Sequence, residues 1–111
     1  LKILYPYNTS STNYKLWKKY YSGASGLLGI VIKSKSKSSV YKFVNSLELF
    51  GIGYSWGGFE SLAVYNDPII EMGNRLFFKL EKKHHLIRLH IGLEDPKDLI
   101  NDLKKSLRFV K

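Results

Sequence analysis

The chain has 111 residues, a length that suits one small domain with a modest core. Hydrophobic residues make up 44% and charged residues 24%, which is the composition of a folded protein and excludes a disordered tail. Cysteine is absent, so disulfides, thiolate metal sites and thiol nucleophiles are excluded, while the net charge of +9 raises nucleic-acid binding as a class to be weighed.

No apolar run approaches the roughly 18 residues that a membrane span needs, so a soluble chain is expected. Leu1 to Tyr7 lacks the charged start, apolar centre and cleavage site of a secretory leader. The opening Leu1-Lys2-Ile3-Leu4-Tyr5-Pro6, without an initiator methionine, is what a segment beginning inside a larger protein would show. A reducing, cytoplasmic setting is compatible with the absence of cysteine and is taken as the expectation.

In chain order, Tyr14 to Tyr21 reads as a short helix with Tyr14, Trp17 and Tyr21 on one face. Gly23-Ala24-Ser25-Gly26 breaks it. Leu27 to Ile32 is a continuous apolar run, the pattern of a strand buried on both faces. Lys33 to Ser38 is a polar loop, and Ser38 or Ser39 can cap a following helix. Val40, Phe43, Val44 and Leu47 recur at helical spacing and carry that helix to Phe50. Gly51 and Gly53 end it.

Gly53 to Val64 reads as a short strand, a glycine turn and a second apolar piece, and Asn66-Asp67-Pro68 as a turn. Ile69 to Lys83 is poorly patterned; Arg75 to Leu80 fits helix or strand. Leu86 to Asp95 opens as a strand, with Ile87, Leu89 and Ile91 on one face and Leu86, Arg88 and His90 on the other. The last helix is well marked. Asp95 is its N-cap, Pro96 its first residue and Asp98 falls in its first turn, with Leu99, Ile100, Leu103, Leu107 and Val110 as its buried stripe. Lys104, Lys105 and Arg108 sit where positive charge complements the helix dipole. This order predicts a single α+β domain, a two-layer sandwich of a small, mainly antiparallel sheet with helices on one face.

Arg88 is the main candidate site residue. A strand holds it rigidly between apolar neighbours, and its planar fork of donors suits a carboxylate or phosphate. The same position also fits an ordinary sheet arginine, paired with an internal acid or facing water. Tyr54-Ser55-Trp56-Gly57-Gly58 is the second candidate. Two glycines after a tryptophan suggest close backbone approach or a tight turn, and Ser55 with nearby amides can offer donors to an anion. The alternative is a glycine turn with Trp56 in the core. His84 and His85 are adjacent on a strand and therefore face opposite ways, which does not suit a metal site. His90 shares the face of Arg88, as lining or as wall. The lysines are densest at Lys33, Lys35 and Lys37 and at Lys82 and Lys83. Neither spot makes the basic, aromatic-interleaved stripe of single-strand binders, so both read as solvated turns.

Leu49-Phe50-Gly51-Ile52-Gly53-Tyr54-Ser55-Trp56-Gly57-Gly58-Phe59-Glu60-Ser61-Leu62, followed by Leu86-Ile87-Arg88-Leu89-His90-Ile91-Gly92-Leu93-Glu94-Asp95, resembles the C-terminal domain of the cystathionine β-lyase branch of the Cys/Met-metabolism family of pyridoxal-phosphate (PLP) enzymes. Trp17 to Leu27 is similar to the segment preceding the first strand of that domain, and Asp98 to Leu103 to its closing helix. Tyr-Ser-Trp-Gly-Gly, without a leucine after the serine, is more similar to β-lyases than to their γ-synthase and γ-lyase relatives.

The resemblance implies that residues 1–111 are one C-terminal domain and that the N-terminal and large cofactor domains lie elsewhere. It implies that Arg88 grips the α-carboxylate of cystathionine, that Ser55 and the backbone at Trp56 assist, and that Tyr54 lies near the substrate. The implied reaction is β-elimination of cystathionine to homocysteine, pyruvate and ammonia. PLP, its Schiff-base lysine and any catalytic residue are expected outside this chain, so the fragment alone is expected to be inactive and to bind no cofactor and no metal. The implied partners are cystathionine, the absent PLP domain and other copies in a homo-oligomer, with no membrane and no nucleic acid. Ile69 to Lys83 departs from the family pattern. The reading from a different class is a stand-alone basic module that binds anionic partners, motivated by the +9 charge.

Overall fold

The computed structural model describes residues 1–66 and 80–110. Its five strands are β1 (Lys2–Leu4), β2 (Leu27–Lys33), β3 (Gly51–Ile52), β4 (Leu62–Tyr65) and β5 (His84–His90), and its described helices are α1 (Tyr14–Tyr20), α2 (Lys37–Asn45) and α3 (Pro96–Leu107). The strands form one mixed sheet in the order β1-β2-β5-β4-β3. All pairs are antiparallel except β3 with β4. The α+β architecture expected from the sequence is the one observed.

The sheet's two faces follow from its register. Leu28, Ile30 and Ile32 of β2 lie beside Leu89, Ile87 and His85 of β5, and Ala63 and Tyr65 of β4 lie beside Leu89 and Ile87. Because side chains alternate along a strand, these residues share one face. Helix α2 covers it with Val40, Phe43 and Val44, at the spacing of one helical face, and α3 adds Leu99. Ile87, Val40, Phe43 and Ala63 are fully buried there. The opposite face carries Leu27, Gly29 and Val31 of β2, Leu86, Arg88 and His90 of β5 and Leu62 and Val64 of β4. Gly29 leaves room that Leu4 and Leu86 fill: a Cβ built on it would stand 3.3 Å from each.

Several elements depart from the expectation. Strand β1, which sequence periodicity does not single out in three residues, extends the sheet by pairing with β2. Helix α1 ends at Tyr20; Tyr21 is its extended C-cap and is exposed. Helix α2 begins at Lys37, so neither Ser38 nor Ser39 caps it. The Ser34 hydroxyl accepts from the Ser36 amide and donates to the Ser36 carbonyl, and this turn sets the entry earlier. The same helix stops at Asn45, well before Phe50, which is nevertheless buried. The Asp102 carboxylate of α3 draws the chain there out of the helix by accepting from the Glu48 and Leu49 amides.

The strand expected beyond Gly53 lies before it, at Gly51–Ile52. In α3 the Asp95 carboxylate accepts from the Lys97 amide at 2.7 Å, as an N-cap should, but Ile100 is half exposed and leaves the stripe to Leu99, Leu103 and Leu107. The turn at Asn66-Asp67-Pro68 and the helix-or-strand stretch Arg75 to Leu80 fall largely outside the described residues.

His85 belongs to the core. Its Nδ1 lies 2.8 Å from the Tyr65 hydroxyl and its Nε2 lies 3.2 Å from the Ser34 carbonyl. The carbonyl can only accept, so Nε2 donates; in the neutral ring Nδ1 then accepts from the tyrosine. His84 points to the other face, as strand alternation requires.

Candidate functional site

Strand β5 is central, hydrogen-bonded to β2 on one side and β4 on the other, so its backbone is held along its whole length. Arg88 leaves it on the face opposite the helices, beside Gly29 and Val64. The side chain reaches the segment between β3 and β4. One Nη donates to the Ser55 carbonyl at 2.9 Å. The guanidinium carbon lies 4.8 Å from the Tyr54 ring centroid and 4.7 Å from that of Trp56. Contacts of this kind attract a cation to the ring faces and set the plane of the fork. Among the described residues no acidic side chain pairs with Arg88, so the sheet arginine matched to an internal acid is not what forms. Among the described residues its remaining N–H donors have no partner, and such donors suit an anion.

The segment itself is shaped by its glycines. Gly57 has φ +84°, a conformation that side chains disfavour, and completes the turn after Trp56. The Gly58 amide donates to the Ser55 hydroxyl at 3.0 Å, and a Cβ on Gly58 would collide with that oxygen. The tight turn expected of the paired glycines is present, and the close approach at Gly58 is to the Ser55 hydroxyl. The Ser55 hydroxyl accepts from Gly58, and its own proton has no acceptor among the described residues. Trp56 is 80% exposed and therefore not a core residue. The Tyr54 hydroxyl lies 3.3 Å from the Asn66 side-chain oxygen. The structure thus brings Arg88, Ser55, Trp56 and Tyr54 together in one cluster.

Three supporting contacts were not read from the sequence. His90, buried two residues beyond Arg88 on the same face, places its Nε2 3.0 Å from the Gly58 carbonyl; it is wall, not lining. The Glu94 carboxylate accepts from the Ser61 amide at 2.8 Å and from the Ser61 hydroxyl at 2.7 Å. These Ser61 bonds, the amide first and the hydroxyl second, hold the Glu94 carboxyl below its ordinary pKa. Gly92 lets the segment after β5 approach the one before β4: its amide donates to the Ser61 hydroxyl, and a Cβ there would strike the Phe59 carbonyl and Glu60. The signal was Gly92 followed two residues later by Glu94, but their partners sit 31 and 33 residues away.

The donor set suits an anion. It contains an arginine, a hydroxyl and two rings, but no lysine amine for a Schiff base and no carboxylate to face a pyridine nitrogen. Among the described residues it does not fit a PLP site, and no step through the cofactor is derived from it. No group of three or more metal-ligating side chains occurs among the described residues.

The lysine-rich spots lie elsewhere. Lys33 at the end of β2 pairs in register with His84, and the Ser34 amide donates to the Lys83 carbonyl, so Lys33, Lys35, Lys82 and Lys83 gather where β5 begins. All four are exposed.

Residues 1–108 match the family model described as "Cys/Met metabolism PLP-dependent enzyme". The chain is 38% identical over 103 residues to cystathionine beta-lyase of Escherichia coli, covering 92% of this chain and 26% of that protein. It is 38% identical over 108 residues to an L-alanine/L-glutamate racemase of Wolbachia pipientis wMel, covering 96% of this chain and 26% of that one. Among solved structures, a cystathionine gamma synthase from Xanthomonas oryzae pv. oryzae in complex with cystathionine superposes with a TM-score of 0.82 at 24% identity, over 98% of this chain and 28% of that one, which shows a shared fold. The chain spans about a quarter of the length of these relatives.

Proposed function

Because this chain belongs to the family of Cys/Met-metabolism PLP-dependent enzymes, we propose that it is the C-terminal domain of a cystathionine β-lyase-like enzyme, supplying the clamp for the substrate's α-carboxylate. One observation carries the reading. Arg88 is fixed by a central strand, the Ser55 carbonyl and two rings, yet its charge is unpaired among the described residues. A substrate carboxylate would complete it with a two-pronged, charge-assisted contact. The Ser55 hydroxyl would add a third donor from the same cluster.

Holding the carboxylate fixes the position of the adjoining α-carbon, whose bonds are the ones to be broken. PLP supplies the electron sink in such enzymes, and the domain that carries it lies outside this chain. The clamp is therefore a binding and orienting part, without turnover of its own. The partners of this reading are cystathionine, that cofactor domain and further copies of the whole protein.

In the protein that carries this chain, Arg88→Ala should lower kcat/KM for cystathionine by about a hundredfold, chiefly through KM, as expected when one partner of a charged pair is removed. Arg88→Lys should recover little, because an ammonium cannot reproduce the fork. Pyruvate release measures both. Full activity in Arg88→Ala would refute the clamp.

A second reading, racemisation of an α-amino acid, is favoured by one observation. The cluster offers donors for a carboxylate and nothing specific to a thioether, and a racemase is among the relatives at 38% identity. Loss of optical rotation from L-alanine or L-glutamate without pyruvate release would select it.

A further inference from the structure

The turn that carries Ser55 and Trp56 has little burial to hold it in place. Trp56, Gly57 and Gly58 are all exposed, and segments of that kind ordinarily open at low free energy. Two side chains from one face of β5 reach it. Arg88 donates to the Ser55 carbonyl at one end of the turn, and His90 donates from Nε2 to the Gly58 carbonyl at the other, at 2.9 and 3.0 Å. Between these ends the Gly58 amide closes the turn on the Ser55 hydroxyl.

The His90 ring is 3% exposed, between cross-strand neighbours Leu27 and Leu62, so it has no room to swing. Its Nδ1 has no hydrogen-bond partner among the described residues, so among these residues the ring's hydrogen bond is the one to Gly58. Phe59 and Ser61 are tied to Leu93 and Glu94 further along, but the histidine acts on the turn itself.

We infer that His90 is the positioning residue of the clamp: its bond to the Gly58 carbonyl fixes the turn that sets Ser55 and Trp56 against Arg88. The inference rests on the clamp reading above. Without the histidine, no side chain of β5 would hold the Gly58 end of the turn, and the Arg88–Ser55 bond would be left to position it from the other end.

The test uses His90→Phe, which keeps a planar ring in the same buried space and removes the donor, and His90→Gln, which returns a donor. Both are made in the protein that carries this chain. Hydrogen–deuterium exchange read by mass spectrometry reports on residues 55–58, with β2 as the internal control, and pyruvate release from cystathionine gives KM and kcat. In His90→Phe, exchange should rise at 55–58 with β2 unchanged, and KM should rise about five- to tenfold with a smaller change in kcat, the effect of one lost hydrogen bond. His90→Gln should recover part of both.

Unchanged exchange at 55–58 would overturn the inference, as would raised exchange with an unchanged KM. If His90→Phe loosens β2 as well, His90→Gln decides: recovery of turn protection and KM together supports the pin, and a loose turn with normal KM overturns it. Full activity in Arg88→Ala would refute the clamp while the exchange result still judged the pin, so the two failures are separable.

Discussion

The molecule carries positive charge at two ends of the same sheet, and the two are built differently. Where β5 begins, Lys33, Lys35, Lys82 and Lys83 form an exposed cluster on flexible stems. Four residues into the strand, a single arginine is held by a carbonyl and two aromatic rings, and the turn it touches is pinned again by His90 and tied beyond by Ser61 and Glu94. Four ammonium groups on mobile side chains make a diffuse field, which screens with salt. One guanidinium with its plane fixed makes a site. Charge count and site quality are thus separate properties, and in this chain the larger charge lies at the less organised end.

Replacements beyond Arg88 and His90 can break or sharpen that contrast. The largest effect should come from Gly92→Ala. Its methyl group would meet the Phe59 carbonyl and Glu60, both backbone, so the segments after β5 and before β4 would have to part; a loss of about 1–3 kcal/mol in unfolding free energy is expected from denaturant titration. A wild-type midpoint in that variant would show that the approach at Gly92 is loose.

Glu94→Gln should have a smaller effect that depends on pH. The folded carboxyl has a lowered pKa, so its contribution to stability is present above the ordinary glutamate value and fades as pH falls through the lowered one. The glutamine variant should be less stable than the parent at neutral pH and converge on it in acid; a constant gap across pH would count against the Ser61 contacts as its source.

The smallest effect should come from changing Lys33, Lys35, Lys82 and Lys83 together to glutamine. In the protein that carries this chain, the cystathionine turnover proposed above should hold within about twofold, since exposed charges contribute little to a distant site. Tight, salt-sensitive binding of single-stranded nucleic acid by the parent, lost in this variant, would instead favour the stand-alone basic module.

The parts legible in the sequence are those with strong local periodicity. Ile87 and Leu89 against Arg88 and His90 gave the faces of β5, Val40, Phe43 and Val44 gave the buried side of α2, and Asp95-Pro96 gave the start of α3. Boundaries decided by distant partners were not legible. The end of α2 depends on Asp102 accepting from Glu48 and Leu49, more than fifty residues away. Ile100 has the right spacing for the core but lies at the edge of the helix's covered face. At the site, Arg88, Ser55, Trp56 and Tyr54 were all named in advance, and the structure brings them together. Of the supports behind them, His90 is legible as lining or wall on the face of Arg88, but its reach to a glycine carbonyl 32 residues away leaves no local pattern.

The alternation of β5 also protects the chain from folding wrongly. The strand pairs on both sides, with β2 and with β4, so it could in principle slip by one residue against both neighbours. A slip of one would reverse every side chain, sending the Arg88 guanidinium in among Phe43, Val44 and Leu99 and exposing Ile87 and Leu89 to water. An unpaired charge in such a place is prohibitive. The arginine proposed to clamp the substrate is therefore also the checkpoint for its own strand's register: a sheet that closes on the wrong pairing cannot bury its core.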